Sequence, residues 1–365
     1  MLELLRRFGQ WLAIAVALSA SACQFGDRLR SDLNDLTDIP GLTAGTGSRS
    51  DSVRVYFTTP DRGPNEPNEI LSAIVDRIDR TTETLDVCAF ELDSKEITDA
   101  LVRANERHVK IRLVTETDYL HESGVRALEA VGVPVVDDGR SGALMHDKFM
   151  VFDRRAVWTG SMNFTENCTK KNNNNAVYIE DRRLADNYST KFRWMFEQHK
   201  FGGLPDPNAK IPNPKIELAD GTTVLNLFST HDRPARRVVV ELGEARHTIH
   251  FLAFSFTDNA IAKEMLAAAD AGVEVSGVFE TSQASSQYSA IEKLRAAKLD
   301  VRRDGNPHNM HHKVIIIDGE TVITGSFNFS KNANETNDEN LLVIRNRNVA
   351  AQYDAEFRRI MKQAK

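Results

Sequence analysis

Two short stretches of the sequence carry the same reactive side chains at the same spacing. Residues 145–164 read MHDKFMVFDRRAVWTGSMNF, and residues 310–329 read MHHKVIIIDGETVITGSFNF. Ten of the twenty positions are identical, and the copies are 165 residues apart. Because side chains two positions apart in a β-strand lie on the same face, each copy places an imidazole beside an ammonium group. The two pairs are His146 with Lys148 and His311 with Lys313.

This set of side chains suits phosphoryl transfer without a metal ion. One imidazole can attack phosphorus and form a phosphohistidine, while a second protonates the leaving alcohol and then activates the incoming water or alcohol. Ammonium groups and neutral donors can stabilise the charge on the phosphate oxygens. If the two copies face each other, one pocket receives two histidines and two lysines. The two histidines must then hold different protonation states, so we expect their pKa values to differ.

The residues after each His–Lys pair predict a tight hairpin followed by polar donors. Asp153 and Asp318 each follow a four-residue apolar run, and we expect them to have structural roles at the turns. Gly160 and Gly325 end the return strands, where glycine permits close approach of another backbone. Serine and asparagine side chains follow, which could donate hydrogen bonds to phosphate oxygens. These donors are Ser161, Asn163, Ser326 and Asn328.

The second copy also contains three closely spaced histidines, a composition found in some metal sites. The stretch PHNMHHK holds His308, His311 and His312. No acidic or Cys/His complement accompanies them at ligand spacing, and His312 should face away from His311 on a strand. We therefore expect no metal and no cofactor.

The similarity between the two halves extends beyond these motifs and indicates a duplication of about 150 residues. For example, VKIRLVTE at 109–116 matches VEVSGVFE at 273–280. Strand-like runs alternate with stretches of helical spacing, which predicts a mixed sheet flanked by helices. The predicted fold is α/β, with two tandem homologous sandwich units related by a pseudo-twofold axis. The units span 51–200 and 222–365, and a linker rich in Gly and Pro joins them at 201–221.

The N-terminus predicts export to the periplasmic side of a bacterial envelope. Two arginines precede the apolar run WLAIAVALSASA, which is too short to span a bilayer, so residues 1–22 are expected to be a signal peptide. The stretch SASAC resembles a bacterial lipoprotein box, in which Cys23 would be lipidated, and Gln24 suggests the outer membrane by resemblance to sorting rules. Cleavage after Ala22, leaving a soluble periplasmic or secreted protein, is the alternative. Residues 23–50 are polar and predict a tether.

Charge and cysteine content limit the classes of partner and fold. The formal net charge of −6 argues against a broad nucleic-acid-binding surface, although a local basic mouth remains compatible with it. Three cysteines are too few for a disulfide-built scaffold. Cys88 and Cys168 could form a bond in an oxidising compartment, but a buried inert thiol is the favoured interpretation for Cys88.

The motif His-x-Lys-x4-Asp followed by Gly-Ser-x-Asn is similar to the signature of the phospholipase D superfamily. The chain resembles in particular the bacterial phospholipase D-like, cardiolipin hydrolase and nuclease branch, from about residue 51 to the end. The resemblance implies an α/β fold and a ping-pong phosphodiesterase that requires no metal. Because both motifs lie in one chain, a monomer is expected to suffice.

The resemblance also implies a role for one carboxylate. Family members usually have an acidic residue about 28 positions after each motif histidine, and it orients an imidazole. Glu339 occupies this position after His311, whereas Asn174 follows His146. In single-chain relatives these acids pair across the halves, so Glu339 would orient His146 as the nucleophile and leave His311 as the acid. Pairing within one half would reverse these roles.

We therefore expect an exported phosphodiesterase whose leading substrate is phospholipid at a membrane surface, since a lipid tether would place the pocket beside phospholipid headgroups. An extracytoplasmic nuclease of the same superfamily is the alternative. A catalytically inactive binding module is the alternative from another class, although both motifs are intact.

Overall fold

The computed structural model describes residues 52–60, 68–202 and 210–365. The predicted signal peptide, the tether and Cys23 lie outside these residues, so the expectations of export and lipidation stay predictions. Within the described ranges, no helix has the length and apolar character needed to cross a membrane.

Seven strands form the sheet of the first unit. In chain order they are β1 (Val53–Phe57), β2 (Thr84–Ala89), β3 (Lys110–Thr115), β4 (Val135–Asp137), β5 (Lys148–Phe152), β6 (Ala156–Gly160) and β7 (Asn175–Ile179). Their order across the sheet is β1-β7-β6-β5-β2-β3-β4. The β2–β3 and β3–β4 pairs are parallel and the remaining pairs are antiparallel, so the sheet is mixed, as the sequence predicts.

Within the described residues of this unit, five α-helices flank the sheet. They are α1 (Glu69–Arg80), α2 (Lys95–Glu106), α3 (Ser123–Ala130), α4 (Glu166–Lys170) and α5 (Arg182–Phe196). The first illustrates why these segments are helical: the Asn68 side chain caps it by accepting from Leu71 N–H, and Ile70, Ile74 and Ile78 recur every four residues on its buried face.

The second unit repeats this arrangement. Its strands are β8 (Lys215–Glu217), β9 (Thr223–Phe228), β10 (Thr248–Ala253), β11 (Glu274–Phe279), β12 (Asp300–Arg303), β13 (Lys313–Ile317), β14 (Thr321–Gly325) and β15 (Asn340–Arg345). Its helices are α6 (Pro234–Gly243), α7 (Asn259–Asp270), α8 (Thr281–Ala284), α9 (Ile291–Ala296), α10 (Lys331–Glu335) and α11 (Arg347–Gln363). The sheet order is β12-β11-β10-β13-β14-β15-β9-β8, which matches the first sheet strand for strand apart from β8.

Strand β8 corrects the predicted linker. Residues 215–217 fall within 201–221 but pair with β9 at the edge of the second sheet. Ile216 is buried between two exposed charged residues, so three residues of alternating burial suffice for a short edge strand.

Each motif hairpin turns at the predicted aspartate. Asp153 and Arg154 have φ of 49° and 55°, and Asp318 and Gly319 have φ of 53° and 61°, as a two-residue type I′ turn requires. The carboxylate of Asp153 accepts backbone N–H groups at the start of β2, and that of Asp318 does the same at the start of β10. Both aspartates therefore fasten the turn to a neighbouring strand, the structural role expected of them.

The two motif glycines lie where another backbone approaches closely. A Cβ built on Gly160 would be 2.3 Å from Asn175 O, and one built on Gly325 would be 2.3 Å from Asn340 O. Any side chain would force the backbone of the neighbouring strand away, so glycine is required for this contact.

The two units meet through reciprocal contacts. Met145 forms a β-bridge with Asp338, and Met310 forms one with Asn173. Met310 lies 165 positions after Met145, and Asp338 lies 165 positions after Asn173. Equivalent residues of the two units therefore form the two bridges, and each unit contacts the other through the same surface. A self-complementary interface of this kind is the property of a twofold axis, and here the axis relates two halves of one chain.

The last helix of each unit packs in a core shared by both sheets. The ring of Tyr188 on α5 lies 5.0 Å from that of Phe228 in the second unit, and Tyr353 on α11 lies 5.2 Å from Phe57 in the first. All but Phe57 of these rings are fully buried. Apolar burial across the junction therefore fixes how the two motif strands face each other.

Candidate active site

The two motif histidines lie at the junction between the units. Each histidine lies two residues before the first residue of a motif strand, and its backbone N–H donates to a carbonyl of the opposite unit. His146 N–H donates to Asp338 O at 3.0 Å, and His311 N–H donates to Asn173 O at 2.8 Å. Each imidazole is thus positioned by both halves of the chain, and the predicted meeting of the two motifs is present in the structure.

Each imidazole is oriented through Nδ1 by a side chain of the other unit. His146 Nδ1 lies 2.8 Å from Glu339 Oε2, and His311 Nδ1 lies 3.0 Å from Asn174 Oδ1. The amide nitrogen of Asn174 donates to Cys168 O, which turns its oxygen toward His311. Both Nδ1 atoms therefore carry the proton, and both Nε2 atoms keep a lone pair. Pairing runs across the halves, as the resemblance implied, and pairing within a half does not occur.

The carboxylate of Glu339 accepts two hydrogen bonds at one oxygen. Its Oε2 receives His146 Nδ1–H and the hydroxyl of Ser326 at 2.6 Å, and both bonds favour the ionised form. Burial raises the pKa of Glu339 well above its usual value, while Lys148 and Lys313 oppose this rise. The two ammonium groups supply the charge that permits a fully buried carboxylate.

Both histidines are neutral in the free site. His146 and His311 are each 6% exposed, and burial lowers the pKa of each well below its usual value. The neighbouring Lys148 and Lys313 lower both pKa values further. Burial and the same two lysines lower both pKa values, and the expected difference between them stays a prediction.

The two lysines are buried and lack a carboxylate partner within ion-pair distance among the described residues. Lys148 Nζ donates to His146 O and lies 4.5 Å from the ring of Phe90, and Lys313 Nζ donates to His311 O and lies 4.7 Å from the ring of Phe254. Burial lowers the pKa of Lys148 to about 8 and lowers that of Lys313 well below its usual value. An anionic ligand would supply the missing counter-charge.

The two serines that the sequence predicts as phosphate donors donate to other side chains of the site. Ser161 donates its only proton to Asn174 Oδ1 at 3.0 Å, and Ser326 donates its proton to Glu339 Oε2. Both serines are fully buried. In this structure the two serines orient Asn174 and Glu339, which in turn orient the imidazoles. The assignment of Ser161 and Ser326 as phosphate ligands stays a prediction.

The two asparagines that follow differ between the halves. Asn163 donates from Nδ2 to Glu91 Oε2, whereas Asn328 has no matching acid because Ser255 stands at the equivalent position. Each amide nitrogen has two hydrogens, so a donor to phosphate remains on both. The prediction that Asn163 and Asn328 bind phosphate stays a prediction.

Two phenylalanines complete the walls and were not singled out from the sequence. The ring of Phe90 packs edge-on against His146 at 4.7 Å, and that of Phe254 packs against His311 at 4.6 Å. The recurrence of Ala-Phe at 89–90 and 253–254 was the available signal. These rings limit the rotation of both imidazoles and exclude water from one side of each.

The third histidine of the second motif is turned away from the pocket. His312 is fully buried, with Nδ1 2.9 Å from Asn175 Nδ2 and Nε2 3.0 Å from Glu356 Oε1. It faces the junction core, as a strand predicts. The predicted thiols are both buried, and in the described part of the chain Cys88 and Cys168 are free and form no disulfide.

Comparison with known proteins shows which family the chain matches. The family described as "Cardiolipin synthase, PLD-like domain" matches residues 74–196 and 238–361, which are more than half of the chain and fall one in each unit.

Individual relatives agree with this match. A phospholipase D of Rickettsia bellii is 31% identical over 159 residues, which cover 44% of this chain and 78% of that protein. A mitochondrial cardiolipin hydrolase of Chlamydomonas reinhardtii is 34% identical over 132 residues, covering 36% of this chain and 59% of that protein. The crystal structure of phosphatidylserine synthase from Haemophilus influenzae superposes with a TM-score of 0.65 at 14% identity, covering 86% of this chain and 87% of that one, and it shows the fold. This chain, with two tandem units and both motifs, belongs to the phospholipase D-like family of phosphodiesterases.

Proposed function

We propose that this chain hydrolyses the headgroup phosphodiester bond of phospholipids without a metal, through a phosphohistidine on His146. The observation that carries the proposal is the bond from His146 Nδ1 to Glu339 across the two units. It directs the lone pair of Nε2 outward, and an ionised carboxylate stabilises the positive charge that develops on the ring during attack.

In the first step, the lone pair of His146 Nε2 attacks phosphorus. A P–N bond forms, the P–O bond to the headgroup alcohol breaks, and His311 donates a proton to the leaving oxygen. His311 is neutral in the free site. It takes up this proton when the substrate binds, because the negative charge of the substrate stabilises the imidazolium. The ammonium groups of Lys148 and Lys313 stabilise the equatorial oxygens.

In the second step, His311 takes a proton from a water molecule that attacks phosphorus. The P–N bond breaks, phosphatidic acid is released and His146 returns to the neutral state. His311 is thus the acid of the first step and the base of the second, whereas His146 is the nucleophile. Because the two histidines have different roles, the mechanism needs them to have different hydrogen-bond partners. Glu339 and Asn174 supply that difference.

Two observations support lipid as the substrate. The relatives that match this chain carry the names phospholipase D and mitochondrial cardiolipin hydrolase. Residues 1–22 resemble an export signal, and the stretch SASAC resembles a lipoprotein box with Cys23 as the lipidated residue. We propose that the chain is exported and tethered to the outer membrane of a bacterial envelope, where its pocket faces phospholipid headgroups. One chain supplies both motifs, so the proposed active form is a monomer.

The test is a parallel assay of the purified chain with EDTA present. One arm contains mixed phospholipid vesicles and the other contains single- and double-stranded nucleic acid, each with a His146→Ala control. We expect headgroup release from the vesicles, absent in the control. Cleavage of nucleic acid with intact vesicles would replace the proposed function by a nuclease. No product in either arm would favour a binding module.

A further inference from the structure

The two halves of the pocket differ in charge at positions that are otherwise equivalent. Glu91 follows Phe90, whereas Ser255 follows Phe254. Three more acidic residues in the first unit stand where the second has Ser or Thr. We call the four acids of the first unit the acidic lip. The lip consists of Glu91, Asp93, Asp118 and Glu122, and its counterparts are Ser255, Thr257, Ser282 and Ser286.

The acidic lip lies at the edge of the sheet where the catalytic motif begins. Its members follow the carboxyl ends of β2 and β3, and the last residue of β2, Ala89, is paired with Lys148. The carboxylate of Glu91 accepts a hydrogen bond from Asn163 Nδ2 and faces the ammonium of Lys148. The Tyr119 ring packs on that of Phe90 at 4.9 Å, next to His146.

The negative charge of the lip is offset only in part, by Lys148, which faces Glu91. Two other lysines of the first unit pair with carboxylates outside the lip: Lys95 pairs with Asp99, and Lys170 pairs with Glu96 and Glu166. Across residues 52–60, 68–202 and 210–365, no salt bridge involves a lip carboxylate. The lip therefore makes the first-unit side of the pocket more negative than the second-unit side, although burial raises the pKa of Glu91 and raises that of Glu122 to about 7.

A buried oxygen without a partner lies next to Glu91. Asn163 is 5% exposed, and its Oδ1 has no hydrogen-bond partner among the described residues. Its Nδ2 is bound to Glu91, so a group that satisfied Oδ1 would lie beside that carboxylate. Only a donor such as water, a hydroxyl or an ammonium could do so, because an anionic oxygen has no proton to give.

The inner site has no positive charge to spare for more than one phosphate. The ammonium groups of Lys148 and Lys313 are the cations nearest the two histidines, and the carboxylates of Glu339 and Glu91 already act on them. A phosphodiester with a single negative charge can bind between the lysines. A second phosphate on the first-unit side would meet the acidic lip.

We propose that the acidic lip determines specificity. It selects phosphodiesters that carry one negative charge and whose neighbouring substrate groups are neutral or carry an ammonium group, and it rejects polyanions such as nucleic acid. The inference deepens the proposed function, on which it rests for the choice of lipid. In electrostatic terms, removing two lip carboxylates should favour a polyanion by about tenfold at low salt.

The test measures binding, so it does not depend on turnover. The variant Glu91→Ser/Asp118→Ser gives two lip positions the residues of the second unit, and neither carboxylate accepts a backbone N–H in the described structure. The control Glu106→Ser/Asp270→Ser removes the same charge from exposed ends of α2 and α7, away from the mouth. The affinity of each protein for a labelled single-stranded oligonucleotide is measured at 50 and 300 mM salt.

We expect the lip variant to bind the oligonucleotide about tenfold more tightly than the wild type at low salt, with the difference disappearing at high salt, and the control to bind like the wild type. Equal affinities, an equal gain in the control, or a gain that persists at high salt would each overturn the proposal. Vesicle hydrolysis by the wild type is scored separately, so loss of the lipid function would be recognised independently.

Discussion

Replacing Glu339 by glutamine tests the electrostatic role of the one carboxylate that distinguishes the two histidines. The substitution keeps the shape of the side chain and removes its charge. An amide oxygen can hold the Nδ1 proton, as Asn174 does for His311, so the tautomer should persist if the amide oxygen takes the place of Oε2. The amide nitrogen would then replace Oε1, which is buried and has no partner among the described residues.

The expected loss follows from these two changes. Exchanging a charge-assisted bond for a neutral one costs about 1–2 kcal/mol, and a buried unsatisfied donor costs about 1–3 kcal/mol. Only the part that differs between ground and transition states affects the rate, so we expect kcat for Glu339→Gln to fall by about 10²–10³. KM should change little, because Glu339 is separated from the substrate by His146.

The assay compares single-turnover hydrolysis of bis(p-nitrophenyl) phosphate by the wild type and by Glu339→Gln, with Asn174→Asp as the matched variant. Asn174→Asp adds a carboxylate to His311 and leaves the His146 pair intact, so its phosphorylation rate should fall less. A Glu339→Gln rate within a factor of two of the wild type would refute the reasoning. A larger loss in Asn174→Asp would assign the nucleophile to His311.

Three further results are expected. A pH–rate profile should show kcat/KM falling as pH rises through about 8, where Lys148 loses its proton. On the acid side, kcat/KM should stay high until pH drops below the usual histidine pKa, because burial lowers the pKa of His146. Gly160→Ala should lower the thermal midpoint, with a cost of about 1–3 kcal/mol from the clash with Asn175 O, and an unchanged midpoint would contradict the close approach. Asp153→Ala should lower the free energy of unfolding in urea by about 1–2 kcal/mol at pH 7. Backbone N–H groups hold the pKa of Asp153 below its usual value despite partial burial, so its contribution is present above the unfolded pKa and is lost as pH falls through the folded pKa. A difference between the two proteins that persisted at pH 2 would contradict this role.

The sequence was sufficient to predict the pairing of two units because the repeat keeps one register. A spacing of 165 residues between His146 and His311 places both at equivalent points of equivalent strands, and duplication then implies that they meet on the symmetry axis. The type I′ turns at Asp153 and Asp318 were also predictable, because turn chemistry is local.

The hydrogen-bond partners of Ser161 and Ser326 could not be predicted in the same way. Each hydroxyl has one proton, and which acceptor receives it depends on strands that are distant in sequence. The pKa values of the two histidines also depend on the assembled fold: both are lowered first by burial and then by the lysines of both halves. The charge difference between Glu91 and Ser255 was present in the sequence, but its position at the pocket became clear only from the fold.

The most direct test of the central claim is the identity of the phosphorylated residue. The enzyme is mixed with bis(p-nitrophenyl) phosphate, quenched in alkali within one turnover, digested and analysed by mass spectrometry, with His146→Ala and His311→Ala in parallel. We predict a p-nitrophenyl phosphate adduct on His146 of the wild type, persisting in His311→Ala, which lacks the base for the second step. An adduct on His311, or full turnover with no adduct on either residue, would contradict the account.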